Sequence, residues 1–192
     1  MSPLISRTGL LDRTVNRRDV RLFLIATEDT YAAKQYFQIL RDNGVVDTRR
    51  VHVKVLETPA EDTGSSPAHV LARLNEYEVD LKPMDERWIV LDTDRWREKM
   101  LAAVCREAMQ RGYQLANSNP CFDAWLLLHL RPGPPPCPCK KCGDEIRERA
   151  GSFNKTRLKV ERYTAESVQR ATEAARTLDS SPARWPAAPG SH

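Results

Sequence analysis

Acidic side chains follow two of the most hydrophobic segments of the chain. Glu28 comes directly after the apolar run 20–27, and Asp92 and Asp94 close a second run that begins at Arg87. Carboxylates that meet in one cleft repel each other unless a hard cation neutralises them, and Mg²⁺ prefers such oxygen ligands. Residues of this type in this pattern indicate a metal-dependent site for phosphoryl transfer or phosphodiester cleavage.

A second interpretation of an acid after a strand is that it caps the N-terminus of the next helix. Asp29 fits this role before a helix that begins at Tyr31. Asp92 and Asp94 are separated by one residue, and in an extended strand this spacing directs both side chains to one face. If Glu28 lies at the same edge of a sheet as Asp92 and Asp94, the interpretation as a metal site is as well supported as the interpretation as a helix cap.

The two apolar runs belong to an alternation of strands and helices between residues 20 and 130. We predict strands over 20–27, 50–56, 87–91 and 113–116, and helices over 31–42, 67–77, 97–110 and 122–130. This alternation predicts an α/β fold, doubly wound, with a mostly parallel four-stranded sheet and helices on both faces. Right-handed crossovers place the carboxyl ends of all strands at one edge, where ligands bind in open α/β sheets.

The remaining segments differ in composition from this core. We predict a flexible leader (1–19), a Pro/Cys-rich connector (131–142), a basic helical extension (143–178) and a flexible tail (179–192). The formal net charge is only +4, but residues 131–192 hold 12 Lys/Arg and 7 Asp/Glu. A basic segment beside an acidic site suits a polyanion that must meet a metal, and a solvated helix face explains the same charges equally well.

Three of the five cysteines lie close together, at Cys137, Cys139 and Cys142. Thiolates favour tetrahedral Zn²⁺, and His129 or Cys121 could supply the fourth ligand of a structural site. The alternative is a reduced loop with free thiols. The odd number of cysteines favours a reducing cytoplasm over a disulfide framework. No segment approaches the roughly 18 apolar residues of a membrane span.

Four motifs between residues 20 and 178 resemble those of the RloB-like family. In chain order they are Phe-Leu-Ile-Ala-Thr-Glu28-Asp-Thr with Tyr36-Phe37, Val-Leu-Asp92-Thr-Asp94-Arg95, Ser-Asn119-Pro-Cys-Phe-Asp-Ala-Trp-Leu-Leu-Leu-His129, and Phe-Asn-Lys155-Thr. The first motif departs from the family pattern, because Asp29 stands where the family usually has glycine. The cysteine-rich segment after His129 is a second departure.

The resemblance implies a divergent Toprim-like domain, in which Glu28, Asp92 and Asp94 bind Mg²⁺ or Mn²⁺. By the same resemblance Lys155 joins these three as a catalytic residue. We assign four further residues to substrate binding: Arg95, Asn119, Arg157 and Lys159.

RloB-like proteins are often encoded beside an AAA-type or ABC-type ATPase in restriction and abortive-infection loci. The resemblance therefore implies a cytoplasmic nuclease that acts on DNA or RNA in anti-phage defence under the control of an ATPase partner. The alternative is a non-catalytic, Toprim-derived adaptor that docks such an ATPase or another effector. Retention of all three acids favours the enzyme. The sequence leaves the oligomeric state open.

Overall fold

Four parallel strands form the centre of the molecule, in the order β2–β1–β3–β4. A computed structural model describes residues 20–29, 31–58, 66–178 and 190–191 of the chain. The strands are β1 (Arg21–Thr27), β2 (Val51–Val55), β3 (Glu86–Asp92) and β4 (Gln114–Asn119). The predicted leader (1–19) lies outside the described residues.

The two central strands carry the acids at adjacent positions of the sheet. In the parallel pairing of β1 with β3, Thr27 lies opposite Val90, and β3 then places Asp92 opposite Ser118 of β4. Most of β1 is buried, and so are the residues of β3 directly before Asp92, as expected for strands that helices cover on both faces. The predicted doubly wound α/β fold is confirmed.

Helices cover both faces of the sheet and bury a hydrophobic core on each side. They are α1 (Ala32–Asp42), α2 (Pro67–Glu76), α3 (Glu98–Gln110), α4 (Phe122–Leu128), α5 (Cys139–Ala150) and α6 (Ala165–Leu178). On one face α1 and α4 pack Tyr36 and Leu126 against Val90 of the sheet. On the other face α2 and α3 pack Val70 and Leu101 against the sheet. No helix among the described residues is long and apolar enough to cross a membrane.

The connector and the C-terminal extension fold back onto α4 and α1. Helix α5 begins at Cys139, inside the segment predicted as a connector, and ends at Ala150, where Gly151 follows with a φ of 71°. Arg131 holds the connector by an ion pair with Glu145 at 2.6 Å. Asn43, just after α1, donates hydrogen bonds to the carbonyl oxygens of Val160 (2.9 Å) and Tyr163 (3.0 Å). The extension is therefore fixed against the core.

A fifth strand, β5 (Gly190–Ser191), pairs antiparallel with the end of β4. Ser191 lies opposite Ser118, and Gly190 lies opposite Asn119. The sequence predicted a flexible tail here, because two residues are too short to show a strand pattern. The rest of the predicted tail (179–189 and 192) lies outside the described residues.

Leu126→Ala should lower the free energy of unfolding by about 2–5 kcal/mol, because it leaves a cavity in the core between α4 and the sheet. The measurement is urea-induced unfolding followed by circular dichroism. Val160→Ala is the control, since Val160 is 48% exposed; its effect should stay within about 0.5 kcal/mol. Equal losses in the two variants would contradict the packing described for α4.

Candidate active site

Glu28 connects the end of β1 to the end of β3. Its backbone amide donates to the carbonyl oxygen of Val90 at 3.2 Å, which extends the strand pairing by one residue. One oxygen of its carboxylate accepts from the indole Nε1 of Trp96 (2.7 Å), and the other accepts from the backbone amide of Asp92 (3.2 Å). Burial raises the pKa of Glu28, and these two hydrogen bonds offset part of the rise.

Asp92 ends β3 and points toward the beginning of α4. Its Oδ1 accepts a hydrogen bond from the amide of Phe122, the first residue of α4, at 2.8 Å. Burial raises the pKa of Asp92 well above its ordinary value, and the negative charges of Glu28 and Asp94 raise it further. The Oδ1 atom is used as a helix cap, which leaves Oδ2 as the oxygen that a cation could take.

Asp94 lies in a turn and not in the strand. The amide of Thr93 donates to the carbonyl oxygens of Ser118 (3.0 Å) and Pro120 (3.1 Å). The amide of Asp94 donates to the same carbonyl oxygen of Pro120 at 3.0 Å. These bonds turn the chain after Asp92, so the strand alternation that we expected for the Asp-x-Asp pair does not reach Asp94. The exposed carboxylate of Asp94 lies beside the sulfur atoms of Cys121 and Cys139.

Asp29 caps α1, as predicted. Its Oδ1 accepts from the amides of Tyr31 (2.9 Å), Ala32 and Ala33 (3.2 Å). These are amides at the beginning of the helix, where a negative charge is also favoured by the helix dipole. The side chain that replaces the usual glycine of the family motif therefore has a structural role in this chain.

Asp123 adds a carboxylate to the three predicted metal ligands. It lies in the first turn of α4, is 2% exposed and forms an ion pair with the Nζ of Lys155 at 3.0 Å. Burial raises the pKa of Asp123; Lys155 opposes the rise, whereas the charges of Asp29 and Asp94 add to it. Five carboxylates thus act on one another at this edge, and we call them the acidic cluster: Glu28, Asp29, Asp92, Asp94 and Asp123.

The predicted metal ligands fit a hard divalent cation in their chemistry. Glu28, Asp92 and Asp94 offer only oxygen atoms. Burial is the main cause of the raised pKa values of Glu28 and Asp92, and a cation would favour the charged form of both. Their positions differ, because Glu28 is buried and bonded to the partly buried Asp92, whereas Asp94 is exposed. Among the described residues, one group of three has all its ligand atoms within 4.8 Å of one another. It consists of Asp94, Cys121 and Cys139.

Lys155 is held at the cluster by a glutamine that the sequence did not reveal. The Nε2 of Gln35 donates to the carbonyl oxygen of Lys155 (2.8 Å), and its Oε1 accepts from the amide of Leu158 (3.0 Å). Asn154 fixes the same turn, because its Oδ1 accepts from the amide and the hydroxyl of Thr156, both at 2.9 Å. Gln35 had no signal in the sequence, since a polar residue in a helix is usually solvated.

The four predicted substrate-binding residues lie around the cluster. Arg95 is exposed beside Glu28, and its charge opposes the rise in the pKa of that carboxyl. Asn119 ends β4 at the same edge. Arg157 and Lys159 are exposed and line a groove formed by residues 152–154 and 157–162, directly after Lys155.

The four residues predicted as a zinc site are not brought together. Cys139 forms a disulfide with Cys121, with Cα atoms 5.8 Å apart, whereas the thiol of Cys142 donates to the carbonyl oxygen of Pro136 at 3.1 Å. The odd number of cysteines favoured free thiols over disulfides, and this expectation is wrong for Cys121 and Cys139. They are 18 residues apart in the chain, and the packing of α4 against α5 brings them together.

His129 lies in an aromatic cluster away from these cysteines. Its ring packs edge-on against Tyr36, Trp125 and Tyr163, and its Nδ1 lies 3.3 Å from the hydroxyl of Ser167. Burial lowers the pKa of His129 to about 4, so the ring is neutral at pH 7. This environment indicates a structural role.

Comparison with known proteins identifies one family. A family model described as RloB-like protein matches residues 23–191, which include all four motifs quoted above. No curated protein and no solved structure matches the chain. The match confirms the resemblance that the motifs indicated.

Asp92→Asn should make the metal-free protein more stable at pH 7. Because the pKa of Asp92 is raised above its ordinary 3.8 by folding, the folded protein binds more protons than the unfolded chain above that pH, and stability falls as pH rises. The amide removes this loss while its Oδ1 still caps α4. The difference in the free energy of unfolding between Asp92→Asn and the wild type should shrink toward about pH 4. It should change by at most about 1.4 kcal/mol per pH unit.

The measurement is the free energy of unfolding in urea with EDTA at several pH values. Asp144→Asn is the control, because Asp144 is exposed and pairs only with Arg147 of the same helix in the ion pairs described; its stability curve should run parallel to that of the wild type. A parallel curve for Asp92→Asn as well would contradict the charge repulsion described here.

Proposed function

The chain belongs to the RloB-like protein family, and from this membership together with the acidic cluster we propose that it is a metal-dependent nuclease. The observation that carries the proposal is the contact between Glu28 and Asp92. They follow adjacent parallel strands, share a hydrogen bond, and both have a raised pKa. Buried carboxylates in this arrangement are typical of a site where a cation and a phosphate meet.

Glu28, Asp92 and Asp94 would hold Mg²⁺ or Mn²⁺. When bound, the cation would supply charge stabilisation at the phosphate and a water of lowered pKa. Trp96 fixes the orientation of the Glu28 carboxylate through its indole hydrogen bond of 2.7 Å. The raised pKa of Glu28 makes its carboxylate a stronger base, which suits a group that accepts a proton from water during the reaction.

Lys155 would act on the reacting phosphate. Its ammonium group lies 3.0 Å from Asp123 in the cluster, and Gln35 fixes its backbone. A cation held in advance at the place where negative charge develops stabilises the transition state more than the ground state. Asp123 would keep the ammonium in position until a phosphate oxygen offers a second partner.

The substrate in this proposal is DNA or RNA. Arg157 and Lys159 are exposed along the groove that follows Lys155, Arg95 is exposed, and Asn119 ends β4 at the edge that carries the acids. Contacts of Arg and Lys with phosphates position a nucleic acid without reading its bases. We also propose a role in anti-phage defence and control by an AAA-type or ABC-type ATPase. Family membership supports both of these proposals.

Cleavage by the purified protein should require a divalent cation and Asp92. We expect product from plasmid DNA, single-stranded DNA or tRNA with Mg²⁺ or Mn²⁺, and none with EDTA. Asp92→Asn should lower the rate at least about 100-fold, because even groups that only support metal ligands contribute up to that factor. It is preferable to Glu28→Gln, whose amide nitrogen would face the amide of Asp92 or the indole of Trp96.

Asp144→Asn, an equivalent change at an exposed position, should cleave at the wild-type rate. Full activity of Asp92→Asn without added metal would contradict the proposal. Absence of cleavage on all three substrates, with a folded protein that binds Mn²⁺, would favour the adaptor.

Lys155→Ala should lower the single-turnover rate by about 100-fold with a smaller change in affinity, as expected for a donor that acts in the transition state. Arg157→Ala and Lys159→Ala should lower affinity and leave the single-turnover rate nearly unchanged. Each should also reduce the slope of log K against log salt concentration by about one, since one phosphate contact releases about one counterion. The measurements are single-turnover kinetics and binding at several salt concentrations.

Lys155 would be only a part of the binding surface if all three variants lost affinity equally and none lost rate. Melting temperatures are measured in parallel, because Lys155→Ala also removes the partner of the buried Asp123.

A further inference from the structure

Three potential metal ligands meet beside the acidic cluster in a combination that the motifs do not include. The carboxylate of Asp94 and the sulfur atoms of Cys121 and Cys139 all lie within 4.8 Å of one another. Cys121 is 2% exposed and directly precedes α4, and Cys139 is the first residue of α5. We infer that Asp94, Cys121 and Cys139 bind one Zn²⁺ ion when the disulfide between the two cysteines is reduced.

The chemistry balances with a dithiol as reductant. The dithiol gives two electrons and two protons to the Cys121–Cys139 disulfide, which becomes two thiols while the reductant becomes a cyclic disulfide. Zn²⁺ then replaces the two thiol protons, which leave to solvent, and the ionised Asp94 adds an oxygen ligand. Removal of two electrons by hydrogen peroxide, with formation of two waters from two added protons, restores the disulfide and releases Zn²⁺.

The distances and the exposure suit zinc. Zinc–sulfur bonds of about 2.3 Å and zinc–oxygen bonds of about 2.1 Å place tetrahedral ligands about 3.5–3.8 Å apart. The observed separations, all within 4.8 Å, require only local side-chain movement once the sulfurs are no longer bonded. Asp94 is exposed, so a water can occupy the fourth position from the solvent side.

The other two cysteines near the site have different positions. The thiol of Cys142 is buried and donates to the carbonyl oxygen of Pro136 at 3.1 Å. Cys137 is exposed and lies before α5 begins. Cys137 is therefore a matched control, since it is a neighbouring cysteine outside the group of three.

The inference stands without the proposed nuclease, but it has a consequence for that activity which rests on the proposed function. Asp94 belongs both to the acidic cluster and to the zinc ligands. Zinc bound by the reduced protein would take Asp94 from Mg²⁺ or Mn²⁺, and oxidation of the two cysteines would return it. The state of one disulfide would then set the availability of one catalytic carboxylate.

The test is the zinc content of the full chain after reduction. Protein is reduced with dithiothreitol, loaded with Zn²⁺ without oxygen, separated from free metal and reductant, and measured by atomic emission. We expect about one zinc per reduced chain, in line with a three-residue site plus water. Less than about one tenth of an equivalent is expected for the oxidised protein and for Cys121→Ser and Cys139→Ser.

Asp94→Asn should bind Zn²⁺ at least about tenfold more weakly in competition with a coloured chelator, because an ionised ligand is lost. Cys137→Ser should retain about one zinc. Cobalt bound in place of zinc should show an absorption band from thiolate-to-metal charge transfer.

Alkylation of the wild-type protein tests the same ligands without a variant that could fail to fold. Zinc should protect the partly exposed Cys139 of the reduced protein from iodoacetamide and leave the exposed Cys137 reactive. The zinc site is absent if the reduced wild type binds no zinc, if Cys137→Ser loses zinc while Cys121→Ser retains it, or if Zn²⁺ does not protect Cys139. All these readouts are independent of cleavage, so they separate a failed zinc site from a failed nuclease proposal.

Discussion

The meeting of Glu28 and Asp92 at the carboxyl ends of adjacent strands is the constraint on which the rest of the site depends. Two acids in a cleft that excludes much of the solvent are unfavourable when both are charged, and burial raises the pKa of each. The fold tolerates them because each has a backbone donor. The amide of Asp92 donates to Glu28, and the amide of Phe122 donates to Asp92. These bonds also tie together β1, β3 and α4, so the acids and the surrounding elements stabilise one another's positions.

The same principle extends outward from this pair. Asp29 takes the amides at the beginning of α1, and Asp123 takes the ammonium group of Lys155 from the C-terminal extension. Each acid of the cluster other than Asp94 therefore also fixes an element of the fold. Asp94 lies in the turn after β3, where its exposed carboxylate meets the cysteines that join α4 to α5. A carboxylate in this position is free to respond to a metal or to a change in the disulfide.

The sequence was sufficient where one pattern repeats over many residues. Apolar runs and helical periodicity predicted the alternating elements, and the rules for parallel sheets placed Glu28 and Asp92 at one edge. It was insufficient where single long-range contacts decide. The turn at Thr93 depends on carbonyl groups of Ser118 and Pro120, and the disulfide depends on how α4 packs against α5. Gln35 and Trp96 hold Lys155 and Glu28 through one or two hydrogen bonds each, and such bonds leave no periodic trace in a sequence.

A crystal structure of the protein grown with Mn²⁺ is the most direct test of the central claim, which is that these acids hold a divalent cation. Manganese can be located independently of its ligands by its anomalous scattering. We expect an anomalous peak bonded to carboxylate oxygens of Glu28 and Asp92, with the exposed side chain of Asp94 turned inward to join them. Two results would contradict a cation site at these acids. In one, the carboxylates are ordered with the contacts described here and no peak lies beside them; in the other, the peak lies elsewhere on the molecule.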